Sequence, residues 1–279
     1  MKISVVIPTY NEKGVFEDCI ESLGNQTYPD FEIIVVYDGS SDGTLEILSN
    51  LQKNIPDLNF FKQKHGGAGA ARNLGASHAS GDILVFVDAD MTFDKDFLET
   101  LVKPIVVGKA KGTFSKEEFV SNWENVWARC WNINEGWEDR RRHPKNFPDH
   151  QPVFRAILTS EFESVGGFTP GGYDDDWSLG KKLDYDAVSS PGAIFYHKNP
   201  STLKEIFKHA KWVGKRKYKL GVVGDIVAMV RVLFPFSILV GLYKGVKSGE
   251  SKFVIFKIVY DFGIFIGILE KIVLRKSFK

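Results

Sequence analysis

Residues 3–7 and 31–36 are short, continuous apolar runs rich in Ile and Val, the pattern of strands covered on both faces in a parallel sheet. Between them Phe16, Cys19, Ile20 and Leu23 recur at helical spacing, and Gly24 marks a stop. A turn cluster, Asp38-Gly39-Ser40-Ser41-Asp42-Gly43, follows the second run, and Leu45, Leu48 and Leu51 then resume the helical period. The alternation repeats with a strand at 59–63, a loop at 64–68, a helix at 69–78 and a strand at 83–87. This βαβα order predicts an α/β protein built on a mostly parallel, doubly wound sheet flanked by helices, with ligands collecting at the carboxyl ends of the strands.

Beyond residue 90 the rhythm changes. Helices are predicted at 97–107 and 117–131, and short strands at 112–114, 153–158 and 193–196. A helical turn is predicted at 160–165 and a helix at 174–183. Four of the six tryptophans, Trp123, Trp127, Trp131 and Trp137, crowd the region of the 117–131 helix, and Arg140-Arg141-Arg142 follows in a polar loop. Residues 204–219 alternate Lys and Arg with Ile206, Phe207, Trp212 and Val213, the pattern of a basic amphipathic helix at an anionic membrane surface. Two apolar stretches, 221–242 and 253–273, come next, interrupted by Asp225, Arg231 and Pro235 and by Lys257 and Asp261. Charges inside a span are costly, so helices lying in the membrane interface are expected rather than clean spans. A helical hairpin packed on the catalytic domain, or at a contact between copies, is the alternative. The predicted organisation is a catalytic domain over 1–200, with halves at 1–95 and 96–200, and a helical appendage over 201–279.

Composition narrows the class. The 279 residues carry 36 Lys and Arg against 35 Asp and Glu, a balance that excludes an acidic or basic tail protein and gives no footprint for nucleic acid. With 43% apolar residues the chain can bury a large core. Cys19 and Cys130 are too few to staple a chain of this length. A reducing compartment is expected, on the cytoplasmic face of a membrane given the appendage. The first ten residues read as a strand ended by Pro8, not as a secretory leader.

The candidate chemistry sits at strand ends. Asp88-Ala89-Asp90 closes the apolar run 83–87, where one carboxylate can face a metal and the other a ribose. Alone, an Asp-x-Asp is better explained by a solvated turn with an N-cap. Its partners change that: Pro8-Thr9-Tyr10-Asn11 ends the first strand, Asp38 ends the second, and Gly66-Gly67-Ala68-Gly69-Ala70-Ala71-Arg72-Asn73 opens the helix before Asp88. Together they resemble the nucleotide-binding half of family 2 glycosyltransferases, which have the GT-A fold, and the likeness extends over residues 1–200.

The resemblance implies a donor site formed by Pro8, Thr9, Tyr10, Glu12, Asp38, Gly67, Arg72, Asp88 and Ala89. In it Tyr10 stacks on the nucleobase, Asp38 accepts from the base, Arg72 reaches a base carbonyl or the diphosphate, and Asp88 contacts the ribose. Asp90, with His197 as a further ligand, is implied to hold Mg²⁺ or Mn²⁺ against the donor phosphates. Where the family commonly has two adjacent acids before Gly-Ser, this chain has Tyr37 followed by Asp38; Tyr37 is expected to be a packed strand-end aromatic.

In the acceptor half, Gly166-Gly167-Phe168 precedes Asp174-Asp175-Asp176-Trp177, resembling the family's segment in which an acid pair opens a helix. A carboxylate there is held as an anion. Asp176 is implied as the general base and Asp175 as its orienting partner, with Asp174 as a cap. The activity implied is metal-dependent, inverting transfer of a sugar from a nucleoside diphosphate sugar to a lipid-linked or polysaccharide acceptor, with UDP-sugar favoured over GDP-mannose. Two alternatives are weighed: a sugar-nucleotide or membrane-surface binding module without catalysis, and a nucleotidyltransferase. The latter would want a Gly-rich basic loop after the first strand, which Pro8 to Glu12 is not. Oligomeric state is left open, with a homo-oligomer as one expectation.

Overall fold

The computed structural model describes residues 1–55, 57–170 and 175–274. They group into two units, one of Met1–Glu118 with Asn146–His197, the other of Phe119–Lys145 with Lys198–Lys279.

The first unit begins with the predicted alternation: β1 (Ile3–Thr9), α1 (Phe16–Gly24), β2 (Phe31–Tyr37), α2 (Thr44–Asn54), β3 (Leu58–Lys62), α3 (Ala68–Ser77) and β4 (Ile83–Phe86). It continues with β5 (Met91–Phe93), α4 (Phe97–Val106) and β6 (Gly112–Phe114). Strand β7 (Glu118–Val120) leads into the second unit and α5 (Val126–Glu135). The chain then adds β8 (His150–Gln151), β9 (Ala156–Leu158), α6 (Thr159–Ser164), a 3₁₀ turn (Asp175–Trp177), α7 (Ser178–Leu183), β10 (Ala187–Ser189) and β11 (Phe195–His197). Eight strands make one sheet in the order β3-β2-β1-β4-β9-β6-β10-β8. The first four are mutually parallel, and β9 runs antiparallel to both β4 and β6.

Both faces of β1 and β4 are covered, which is why their sequences do not alternate. Val5 and Val85 join one core with α1 and α4, while Val6, Leu84 and Phe86 join a second with Phe162 and Phe168. Strand order reverses between β1 and β4, so their carboxyl ends flank a topological switch point, where open α/β sheets bind ligands.

Two predicted elements differ. The helix expected at 117–131 is instead β7 followed by α5, because the Asn125 side chain accepts from the Trp127 and Ala128 N–H groups and caps a helix that starts only there. The helix expected at 174–183 is the 3₁₀ turn and the short α7; Asp174 and residues 171–173 lie outside the described residues.

The second unit is helical. It contains α5, α8 (Leu203–Gly214), α9 (Val222–Arg231), α10 (Phe234–Ser248) and α11 (Phe253–Leu274). Residues 119–145 belong with this unit, not with the 96–200 half, since Cys130 and Trp131 share a core with Ile206, Phe253 and Phe256. Helix α11, expected at a membrane interface, is the central packing element: Phe253, Phe256, Ile264 and Ile268 are buried. Its glycines let α8 approach closely, for a Cβ on Gly267 would stand 2.1 Å from the Lys211 carbonyl and one on Gly263 2.8 Å from that of Phe207. Among the described residues no single helix is long and apolar enough to cross a membrane; α9 and α10 together are, but bend by 58° at their junction.

Candidate active site

The ends of β1, β2 and β4 and the start of α3 carry the predicted residues, all within the first unit. Pro8 and Thr9 pair in register with Val36 and Tyr37, and the Thr9 and Ala89 side chains are buried, so these residues can offer a ligand little but backbone. Tyr10 is exposed and stacks on the His65 ring, with centroids 4.1 Å apart. Tyr37 packs against the core and donates from its hydroxyl to the Ser40 carbonyl, the structural role expected for it.

Asp38 departs from expectation. Its buried carboxylate accepts from the Gly66 N–H at 2.7 Å, the Gly67 N–H at 3.0 Å, Gln63 Nε2 at 2.7 Å and His65 Nδ1 at 2.9 Å. Four donors fill the acceptor sites of a carboxylate. In this arrangement Asp38 fastens the glycine turn beneath α3, and no lone pair is left for a base N–H. Gly67 sits at φ 87°, a conformation glycine adopts without strain.

Arg72 is the centre of the site. It is almost fully buried, with one guanidinium nitrogen 2.7 Å from Asp88 Oδ1 and another hydrogen-bonded to Asp176 Oδ1. Burial opposes its charge, but Asp88 and Asp176 hold it protonated above the ordinary arginine range. Asp88 also faces Arg155 Nη1 at 3.4 Å. Although burial works against the anion, Arg72 and then Arg155 hold the Asp88 carboxyl well below the usual range. Asp175, expected to orient acceptor or base, instead accepts from the Gly69 N–H at 3.0 Å, where a Cβ on Gly69 would stand 2.6 Å from that carboxylate oxygen. It is buried and ties the 3₁₀ turn to the first turn of α3. The counter-charge of Asp176 is thus Arg72 rather than a helix terminus, and Asp176 keeps 48% side-chain exposure.

His197 and Asp90 meet as the resemblance implied. The Nε2 of His197 lies 2.7 Å from Asp90 Oδ2, and its Nδ1 lies 2.9 Å from Glu118 Oε1. A carboxylate behind a histidine fixes which nitrogen faces forward, the arrangement found behind metal-bound histidines. Glu12 stands in the same field: burial first, then the negative Asp90 and Asp88, push its carboxyl up to about 7, against the opposing pull of His197. Among the described residues no three His, Cys, Asp or Glu side chains gather as a full ligand set. Asp90 and His197 alone suit a hard divalent ion that keeps positions for phosphate oxygens and water, and the excess of acid around them favours a cation.

His65, Glu118 and Arg155 were missed from sequence. Glu118 was hidden by its assignment to a helix, which would have turned it away from a strand end. Arg155 offered a signal, a cation beside the predicted strand at 153–158 where such strands usually carry none.

Comparison with known proteins gives the family and the fold. Residues 4–166 match the family model described as Glycosyl transferase family 2. A stretch of 111 residues is 36% identical to the GalNAc(5)-diNAcBac-PP-undecaprenol beta-1,3-glucosyltransferase of Campylobacter jejuni, covering 39% of this chain and 36% of that one. The mannosyltransferase PcManGT from Pyrobaculum calidifontis, in complex with GDP-Man and Mn2+, superposes with a TM-score of 0.62 at 18% identity over 99% of this chain and 88% of that chain. S. aureus TarS 1-349 in complex with UDP-GlcNAc does so with 0.59 at 17% identity over 100% and 93%. At such identities the structures attest the fold, that of GT-A glycosyltransferases. The matched stretches span from 15% to 36% of curated relatives such as these.

Proposed function

The chain belongs to glycosyl transferase family 2, and we propose from this that it is a metal-dependent, inverting enzyme moving a sugar from a nucleoside diphosphate donor to a lipid-linked or polysaccharide acceptor. The observation that carries the reading is Arg72, a buried cation that draws together Asp88 from one strand end and Asp176 from the acceptor half, 104 residues away in sequence. A diphosphate leaving group needs positive charge beside it, and an attacking hydroxyl needs a base; both stand here within reach of one side chain.

Asp176 takes the proton of the acceptor hydroxyl as its oxygen bonds to the anomeric carbon. The bond from that carbon to the diphosphate breaks on the opposite face, and the electron pair leaves with the nucleotide. Asp175 holds the base's turn against α3, Asp88 faces the ribose, and Tyr10 offers its open face to the nucleobase. Asp90 and His197 would hold a divalent ion, Mg²⁺ or Mn²⁺, whose chemistry is to neutralise charge on the phosphates. UDP-sugar is the favoured donor and GDP-mannose the next, in keeping with the two structural neighbours. The lipid-linked acceptor named for the Campylobacter relative supports a site of action at a membrane.

Donor hydrolysis measured with Mn²⁺ on the native chain, Asp90→Ala and Asp176→Ala tests this. Turnover is expected to vanish in both variants, with UDP affinity kept in Asp176→Ala. Equal turnover in all three proteins would end the assignment.

A further inference from the structure

The second unit turns one of its surfaces inside out. On α9 and α10 the side chains facing solvent are large and apolar: Ile226 is 54% exposed, Phe234 61%, Leu239 65% and Val246 84%. The fully buried ones are small or polar, namely Asp225, Ser237, Gly241 and Gly245, with Met229 half-buried against the α8–α11 core. A helix of a soluble protein shows the reverse polarity, and large apolar side chains exposed along two successive helices mark an interaction surface.

Of the charges that count against membrane insertion in the sequence, all but Arg231 are folded away from this surface. Asp225 is buried and bonded to Lys271 Nζ at 2.5 Å. Lys244 points inward, donating to the Ile133 and Asn134 carbonyls at 3.1 and 3.0 Å. Lys257 and Asp261 satisfy each other on α11. What remains exposed around the patch is cationic: Arg216, Lys217 and Lys219 before α9, Arg231 at the bend, and Lys247 and Lys252 beyond.

We propose that α9 and α10 insert together into a single leaflet of an anionic bilayer, as a bent, non-spanning element. Ten and fifteen residues make helices of about 15 and 22 Å, each short of a hydrocarbon core of about 30 Å, and the 58° bend keeps them from adding into one span. Lipid is the occupant because the cationic rim complements anionic headgroups, whereas a second copy would bring the same cations against themselves. This rests on the reading that the enzyme works at a membrane, and it assigns the contact to α9 and α10 rather than to α8 or α11.

The test uses the full chain. Ile226, Phe234 and Leu239 are replaced together by Asp; all are exposed, so the melting curve should not move. Flotation with phosphatidylglycerol–phosphatidylcholine vesicles is expected to show the native chain bound and the triple variant bound at least about tenfold more weakly, while donor hydrolysis in solution is equal in the two. Independently, a solvatochromic dye is placed on Val246→Cys and, as a control in the first unit, on Val107→Cys; Cys19 and Cys130 are both buried. Only the Val246 dye should shift to the blue with vesicles, and bromines near the headgroups should quench it more than bromines near the bilayer centre. The proposal is overturned by unchanged vesicle binding in the triple variant, by a dye that stays in a water-like environment, or by a blue shift that grows with protein concentration without lipid, which would make the surface a contact between copies. Absence of hydrolysis in the native chain would strike the catalytic reading alone and leave the lipid result standing.

Discussion

The two units use the same residue types, acid beside cation, to opposite ends. In the first, Asp88, Asp90 and Asp176 keep 32%, 33% and 48% of their side chains exposed, although Arg72, His197 and Arg155 stand against them. In the second, Asp225 and Asp261 keep 5% and 3%, each closed off by one lysine. A pair sealed from water has spent its charge on its partner, whereas acids that remain open beside a shared cation can still meet a ligand. Exposure of the carboxylate, rather than the presence of an ion pair, separates a site from a structural bridge, and by burying Asp225 and Asp261 the second unit keeps acids off the exposed apolar face of α9 and α10.

Replacement of charges sharpens the contrast most. Arg72→Met leaves Asp88 and Asp176 facing each other without their cation; donor turnover should fall by at least about a hundredfold, and urea unfolding should show a loss of about 2–4 kcal/mol. The pair Lys257→Met with Asp261→Leu removes both partners at once and should change stability by less than about 1 kcal/mol, with hydrolysis unaltered. Loss of turnover in the second variant would erase the distinction.

Gly267→Ala comes next. Its Cβ would meet the Lys211 carbonyl at 2.1 Å, so α8 and α11 must part, at a cost of about 1–3 kcal/mol in unfolding free energy, again without a direct effect on the first unit's chemistry. Gly69→Ala should do the converse, displacing Asp175 and lowering turnover more than stability.

Glu118→Gln should weaken Mn²⁺ binding by about tenfold in calorimetry, since it no longer holds His197 with one nitrogen forward; Glu118→Asp should restore part of it. The smallest effect concerns pH. The Glu12 carboxyl is raised to about 7 in the fold, so between its ordinary range and pH 7 the folded chain binds more protons than the unfolded chain. Metal-free protein should therefore lose stability as pH rises from about 5 to 8. Glu12→Gln should remove that slope and stabilise the protein at pH 8 by about 1 kcal/mol, less than the full shift because the side chain keeps solvent contact. Thermal melts with chelator at the two pH values check it.

Much of the first unit was legible because its signals are local. Apolar runs in the first 87 residues place β1 to β4 within a residue or two, and strand order then puts Tyr10, Asp38, Asp88 and Asp90 at one edge. The roles and partners that escaped rest on long-range contacts. The bond from Asp175 to Gly69 spans 106 residues, and that from Glu118 to His197 spans 79; no spacing in the chain announces either. Asp38 and the glycine turn were each located by sequence, but the saturation of Asp38 by Gly66, Gly67, Gln63 and His65 depends on contacts 25 to 29 residues away that no spacing announces. In the second unit, hydropathy identified the helices but not their orientation, because Phe256 and Phe234 are equally apolar and only packing buries one and exposes the other.

The sequence by itself determined the α/β alternation, the family, and which acids stand at strand ends, since short-range periodicity and turn chemistry suffice for each. Tertiary structure alone decided that Arg72 is shared between Asp88 and Asp176, that residues 119–145 join the C-terminal helices, and which way α9 and α10 face. Those outcomes depend on which surfaces exclude water together, and that is a property of the packed chain, not of any stretch of it.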